Sequence, residues 1–318
     1  MARRFSLAFS ALVLVVLAGC GKAAPRATPA VATIPQTPSS DSPAAAGSPP
    51  KEDLSKLPPV SDRPANTDGV VFVPEYHNIN PKGGRWDRSP AQFRADLERL
   101  YKMGFRPVTA ADYLANHMDL PKGASPVVMT FDDADPTQFT YLPDGTIDPN
   151  CAVAIWVDFE KTHPDFPLHA TFFVLPSMFG QPALAQKKIE FLRAQGAELA
   201  CHTINHPKLN TLTDDKVEYE FGAAIDMLAK DGFTNVPLAL PFGIFPKNHA
   251  LVKSFEWQGR PYHLTGTFLV GANPAPSPNS PKFDAYKVPR IQGIDLPFGI
   301  TFWLDKLAKG EVHPYVQP

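Results

Sequence analysis

The chain has 318 residues, enough for one large domain or two small ones, with 44% apolar and 19% charged residues. A formal net charge of −2 excludes the strong attraction to nucleic acid or acidic membranes that basic proteins show. Prolines number 36, more than twice the usual ~5%, and they are unevenly spread. That unevenness separates an extended segment from a folded one.

The N-terminus reads as an export signal. Arg3 and Arg4 precede an apolar stretch, residues 5–17, too short for a permanent membrane-spanning helix. Leu17-Ala18-Gly19-Cys20 follows and resembles the lipobox of bacterial lipoproteins. The resemblance implies removal of residues 1–19 as a signal peptide and acylation of Cys20, which anchors a protein without a spanning helix. Residues 20–67 are rich in Pro, Ala, Ser and Thr and cannot bury enough apolar surface to fold, so they read as a tether. The expected location is that of an exported lipoprotein, held on a membrane at the cell surface or in the periplasm. The folded domain is expected over 68–318.

Val70–Val73 is a continuous apolar run, as in a strand buried on both faces, and leads into Pro74-Glu75-Tyr76-His77. Ser89-Pro90-Ala91-Gln92 predicts a capped helix that Gly104 stops. A short strand at 105–108 and a short helix at 110–116 come next. Pro126–Phe131 predicts a strand ending in Asp132-Asp133, and residues 135–149 a polar surface loop. Helical pattern covers 150–163, strand pattern 170–174, helix 187–195 and strand 197–201. Beyond Cys201-His202-Thr203-Ile204-Asn205-His206 the spacing predicts a helix over 213–230, a strand over 236–242 and a helix over 247–257. Strands at 264–270 and 288–294 and a helix at 298–307 complete the series. Strands alternating with helices predict a parallel sheet with helices outside it, and seven or eight units predict an α/β barrel.

Two adjacent carboxylates after a strand disfavour each other unless a cation or proton relieves them. Asp133, His202 and His206 make a plausible set of metal ligands, two imidazoles and one carboxylate, leaving positions open for water and substrate. Histidines four apart share a face if the segment turns helically. Asp132 is then free to take a proton from water. His77 can be a ligand, a substrate contact or a buried structural histidine, and Glu75 can reach the same place. Cys151 and Cys201 can pair or stay as buried thiols.

At these residues the chain resembles the NodB-type polysaccharide deacetylases, carbohydrate esterase family 4. Thr130-Phe131-Asp132-Asp133 is similar to the family's T-F-D-D-G motif, and His202-Thr203-Ile204-Asn205-His206-Pro207-Lys208-Leu209 to H-S/T-x-x-H-P-x-L. Ala170–Val174 resembles the A-T-F-F-V strand, Pro241-Phe242-Gly243 the P-Y-G motif, and Tyr76-His77 an early Y-H. The resemblance implies a distorted (β/α) barrel of about seven parallel strands. It implies Asp132 as general base, Asp133, His202 and His206 on one divalent metal, commonly zinc, and a backbone N–H at Phe242 for the oxyanion. His77 and Pro241 would contact substrate, an N-acetylated or O-acetylated polysaccharide that loses acetate.

Three departures stand out. Ala134 replaces the glycine of the first motif. Ala239 stands where many members carry the arginine that orients the base, which leaves Arg290 as the candidate substitute, with Asp295 as its expected partner. The leucine-x-x-histidine motif that supplies a general acid is absent after Arg290. Two other readings remain open: a non-catalytic carbohydrate-binding lipoprotein on the same fold, and a metal-dependent amidohydrolase of small substrates.

Overall fold

The computed structural model describes residues 59–234 and 236–318. Cys20, and most of the expected signal peptide and tether, lie outside the described residues. Seven short strands form one all-parallel sheet: β1 Pro74–Tyr76, β2 Thr130–Asp132, β3 Thr171–Val174, β4 Glu198–Cys201, β5 Leu238–Ala239, β6 Thr267–Phe268 and β7 Ile291–Gln292. Their order across the sheet is β6-β5-β4-β3-β2-β1-β7. Val288 bridges Phe268 in β6, and three residues later Ile291 pairs with Pro74 in β1. One short segment thus touches both edges and curls the sheet into the expected barrel.

The helices are α1 Pro90–Lys102, α2 Ala110–Leu114, α3 Ala152–Glu160, α4 Ala185–Ala194, α5 Asp214–Lys230 and α6 Ile300–Ala308. The predicted capping box holds at α1: Ser89 Oγ accepts from the Gln92 N–H, and the Gln92 side chain accepts from the Ser89 N–H. None of the helices among the described residues is long and apolar enough to cross a membrane.

The two-residue period of a strand sorts side chains between layers. Phe131, Phe172, Leu199 and Leu238 pack outward with Phe93, Leu97 and Trp156. Phe173, Ala200 and Ala239 pack in a separate interior cluster with Val71 and Val128. The same parity aims Glu75, Asp132 and His202 into the barrel, and small Ala200 and Ala239 leave room there.

Several elements depart from expectation. The first sheet strand is Pro74–Tyr76, because Val70, Val71 and Phe72 make single bridges to three separate partners. The run 126–131 divides: Ser125–Val127 pairs with Phe105–Pro107 outside the main sheet, and β2 begins only at Thr130. The expected helix over 247–257 is a short helical turn, His249–Val252, followed by a hairpin of Ser254–Trp257 and Arg260–His263. Gln258 and Gly259, with φ of 52° and 69°, make the tight two-residue turn, and Phe255 stacks on Tyr262 at 5.1 Å. Residues 60–67, read as tether, pack on the domain: Arg63 donates to the carbonyl of Gly123 and to Ser125 Oγ, and Asn66 bridges Val316. Cys151 and Cys201 are both buried, unpaired thiols.

Candidate active site

Strands of the barrel end on one rim, and the chain turns off them sharply there. Among the described residues, ten non-glycine positions have positive φ, and five of them are Asp133, Ala134, Thr203, His206 and Phe242. Such strain concentrates where side chains must be aimed, because surrounding structure has to hold it. Asp133 and Ala134, with φ of 73° and 51°, swing the chain away from β2. Asp132 then stays buried in the barrel, while Asp133 turns toward the histidines.

Asp133 Oδ1 lies 3.3 Å from His202 Nε2 and 3.5 Å from His206 Nε2. The His202–His206 stretch is not helical. It is a loop with Thr203 and His206 in the left-handed region, and the His206 N–H donates to Thr203 Oγ1. Glu220 of α5 pins it, accepting from the N–H groups of Ile204 and Asn205 and from Asn205 Nδ2. The loop, rather than a helical face, brings the two imidazoles together.

His202 Nδ1 sits 2.9 Å from the carbonyl oxygen of Ala239. A carbonyl only accepts, so Nδ1 carries the hydrogen and Nε2 keeps a lone pair. That Nε2 is buried and has no hydrogen-bond partner, since its approach to Asp133 lacks hydrogen-bond geometry. Three acceptors, Asp133, His202 and His206, thus converge within 4.8 Å. A cation among them resolves the arrangement, and the backbone carbonyl behind His202 is the usual support for a ligating imidazole. The residues present fit a divalent metal.

Arg290 fills the other side of the pair. It is fully buried, its Nη1 and Nη2 donate to Asp132 Oδ1 and Oδ2 at 2.7 and 2.6 Å, and its Nε donates to the Leu269 carbonyl. The guanidinium lies over the Phe173 ring at 5.5 Å. Arg290 thus meets Asp132 from the residue just before β7, while Ala239 of β5 offers no charge there. Its expected partner Asp295 is elsewhere, bound to Arg88 and Gln92. Gly271 is needed beside it: a Cβ there would come within 2.1 Å of the Arg290 carbonyl oxygen.

The charges follow from these contacts. Burial alone would raise the Asp132 carboxyl, but Arg290, with His202 and His77, more than offsets it and holds the group well below the usual range. Asp133 is also lowered, with His202 overcoming burial. His202 is raised despite burial, by Asp132 and Asp133, whereas His206 is lowered by burial and by its neighbour His202. His77, half-buried against Trp86 at 4.6 Å between ring centroids, is lowered by burial. Phe242 stands at the rim with 52% of its surface exposed, and its ring meets His206 at 4.6 Å. Pro241 is buried and begins the turn that carries it.

Two further residues matter. Gln138 donates from Nε2 to the carbonyls of His77 and Asp132, tying the ends of β1 and β2 together. It and Phe139 are fully buried, so the predicted surface loop starts inside the protein. Gln138 and Glu220 act on main-chain groups of other segments, from 6 to 61 positions away, which no local pattern reveals.

Residues 119–256 match the family described as polysaccharide deacetylase, a stretch holding Asp132, Asp133, His202, His206 and Phe242 but not His77 or Arg290. No curated protein matches the chain. Among solved structures, the Streptococcus pyogenes deacetylase PplD, in complex with acetate, is 18% identical with a TM-score of 0.56, covering 79% of this chain and 100% of that one. A polysaccharide deacetylase from Bacillus cereus is 18% identical at a TM-score of 0.56, covering 76% and 69%. IcaB from Ammonifex degensii is 20% identical at 0.52, covering 76% and 96%. At such identities the likeness is one of fold. Barrel and motif match together define a carbohydrate deacetylase domain, a hydrolase by class. The chain is thus similar to the polysaccharide deacetylases over residues 119–256, and shares their fold over most of its length.

Proposed function

We propose that the protein removes acetyl groups, N-acetyl and also O-acetyl, from a cell-wall or extracellular polysaccharide, using a divalent metal ion, zinc, held by Asp133, His202 and His206. The observation that carries this reading is the pair of neighbouring aspartates with opposite surroundings. Asp133 faces two imidazoles across an acceptor-only space, and Asp132 is gripped by a buried arginine. A divalent ion in that space supplies Lewis acidity toward an acyl oxygen.

The chain's own residues do the rest. Asp132 takes a proton from the attacking water. Arg290 occupies two of its roughly four lone-pair sites and leaves others free to accept. The Phe242 N–H donates to the developing oxyanion, and the left-handed turn of Pro241–Gly243 holds it at the rim. His77 contacts the sugar beside Trp86. A buried aspartate kept charged at the cost of a buried arginine favours catalysis over mere sugar binding, which needs neither.

For the cell, we propose export as a lipoprotein acylated at Cys20, with residues 20–59 spacing the barrel from its membrane. Loss of membrane retention in Cys20→Ser would support the anchor, and unchanged retention would refute it. The decisive assay is acetate release by metal-loaded protein, with and without chelator, from N-acetylglucosamine oligomers, peptidoglycan and acetylated xylan. Release that chelator stops is expected; no release from any of them sinks the reading.

A further inference from the structure

The barrel mouth buries a second carboxyl that the water-activating half does not use. Glu75, from β1, is fully buried, and neither carboxyl oxygen has a hydrogen-bond partner. Its Oε1 lies 3.4 Å from Arg290 Nη2, already committed to Asp132, and 3.9 Å from His77 Nε2. The Gly271 N–H approaches without hydrogen-bond geometry. An unpartnered buried carboxyl is costly and calls for an explanation.

A second metal does not supply it. Glu75, His77 and Asp132 offer ligand atoms within 4.8 Å of one another, but both Asp132 oxygens already face the Arg290 guanidinium. A cation there would sit against a buried positive charge. A proton fits better. Burial, opposed by Arg290 and helped by Asp132, pushes the Glu75 carboxyl up to about 7, so much of it stays protonated in neutral solution.

Strand order decides what that proton can serve. Asp133 follows β2 and His202 follows β4, while Phe242 follows β5. An acyl oxygen bound by the metal triad and the Phe242 N–H would lie among the ends of β2, β4 and β5. At β1, beyond β2 in the sheet, stands His77, mostly buried, with Nδ1 enclosed and Nε2 turned toward Glu75 Oε1; a scissile C–N bond directed to that side would meet its ring. An amine cannot depart as its anion, so the nitrogen must gain a proton as the bond breaks. The histidine motif expected to supply one is absent after Arg290.

We propose that Glu75 and His77 together form the general acid, with His77 giving a proton to the leaving nitrogen and Glu75 replenishing it from beneath. This rests on the deacetylase reading above. The water oxygen bonds to the acyl carbon as its proton passes to Asp132. The C–N bond breaks with its electron pair going to nitrogen, which takes a proton from the His77 ring. His77 regains one from the Glu75 carboxyl, and the proton on Asp132 is returned to Glu75 by way of solvent and the partly exposed His77 ring. One water is consumed; one amine and one acetic acid form. Glu75, acting through His77, is a positioning and proton-supplying residue, and His77 is the catalytic one.

The test compares an amide with an ester whose leaving group departs as a stable anion. Full-length, metal-loaded wild type, Glu75→Gln and His77→Asn are assayed on N-acetylglucosamine oligomers and on 4-nitrophenyl acetate. Each variant should lose about 100-fold or more on the amide but only about threefold on the ester, with metal content as in wild type. Parallel losses on both substrates would make the pair merely structural and overturn the proposal, as would unchanged amide turnover. Should Glu75→Gln fail to fold, His77→Asn at the rim carries the same comparison. Wild type inactive on both substrates would instead overturn the deacetylase reading itself.

Discussion

Asp132 and Asp133 are neighbours in sequence, yet they belong to two regions with different physics. Around Asp132 the protein is dry: Arg290 and Glu75 are buried with it, and the guanidinium spans both carboxylate oxygens. Around Asp133 it is half open, with His206 partly exposed and Phe242 at the surface. The dry region brings its own cation, an arginine, whereas the open region presents only acceptors, a set that fits one. Two left-handed residues, Asp133 and Ala134, are enough to divide them. The like-charged pair is eased by that division: Arg290 pairs with Asp132, and Asp133 turns to the two imidazoles.

The comparison breaks most visibly on removing one carboxylate or ligand at a time. Asp132→Asn should lower turnover by about 10²–10⁴-fold with metal content unchanged. His202→Ala should abolish both turnover and metal binding. In the second variant the stabilisation by metal, about 2.7 kcal/mol at a hundredfold excess over Kd, should disappear too. Elemental analysis beside the acetate assay separates the two, and metal lost from Asp132→Asn would mean the aspartates have exchanged roles.

Arg290→Met tests the dry region alone. It leaves Asp132 and Glu75 buried without their cation and should cost about 3–5 kcal/mol in urea denaturation. A loss below about 1 kcal/mol would show that water, not arginine, balances them.

Titration sharpens the contrast within that region. Asp132 is depressed, so its contribution to stability is present above the unfolded value near 4 and is lost as pH falls below it. Glu75 is raised to about 7, so its contribution is present below about 4 and is lost as pH rises toward 7. Metal-free Glu75→Gln should therefore flatten the fall in stability between about pH 4 and 7 and leave the acid limb alone. An unchanged slope there would place the Glu75 proton elsewhere.

The smallest effect concerns the hinge between the regions. Ala134 is buried with φ of 51°, a conformation that costs a Cβ-bearing residue roughly 1–2 kcal/mol. Ala134→Gly should stabilise by up to about 1 kcal/mol, since the flexibility glycine gains when unfolded takes back part of that. Thermal unfolding would detect it, and destabilisation would show that the alanine methyl is needed for packing.

Much of the site was legible because its chemistry sits in short motifs. Asp132, Asp133, His202 and His206 announce themselves by residue type at the ends of apolar runs. Glu75 was legible in part: Glu75-Tyr76-His77 alternates, and alternation in a strand puts Glu75 and His77 on one face. The run ahead of it, Val70–Val73, drew attention to the wrong four residues. The hairpin at 254–263 was misread because Phe255 and Trp257 fit either period, and only the Gln258-Gly259 turn decides between them. Asp295 looked like the partner of Arg290 from proximity in sequence, but it answers Arg88 and Gln92 of the first helical region.

By itself the sequence determined the α/β alternation, the seven-strand barrel and the four residues, Asp132, Asp133, His202 and His206, that gather at one rim. These rest on local patterns: period, capping and adjacent ligands. Only the tertiary structure decided that Arg290 grips Asp132 from 158 positions away, that Glu220 shapes the histidine loop, and that Glu75 lies unpartnered beside His77. The reason is physical. Each of those facts depends on which strands lie side by side and which parity faces inward, and pairing across a closed sheet is a long-range choice that no local stretch contains.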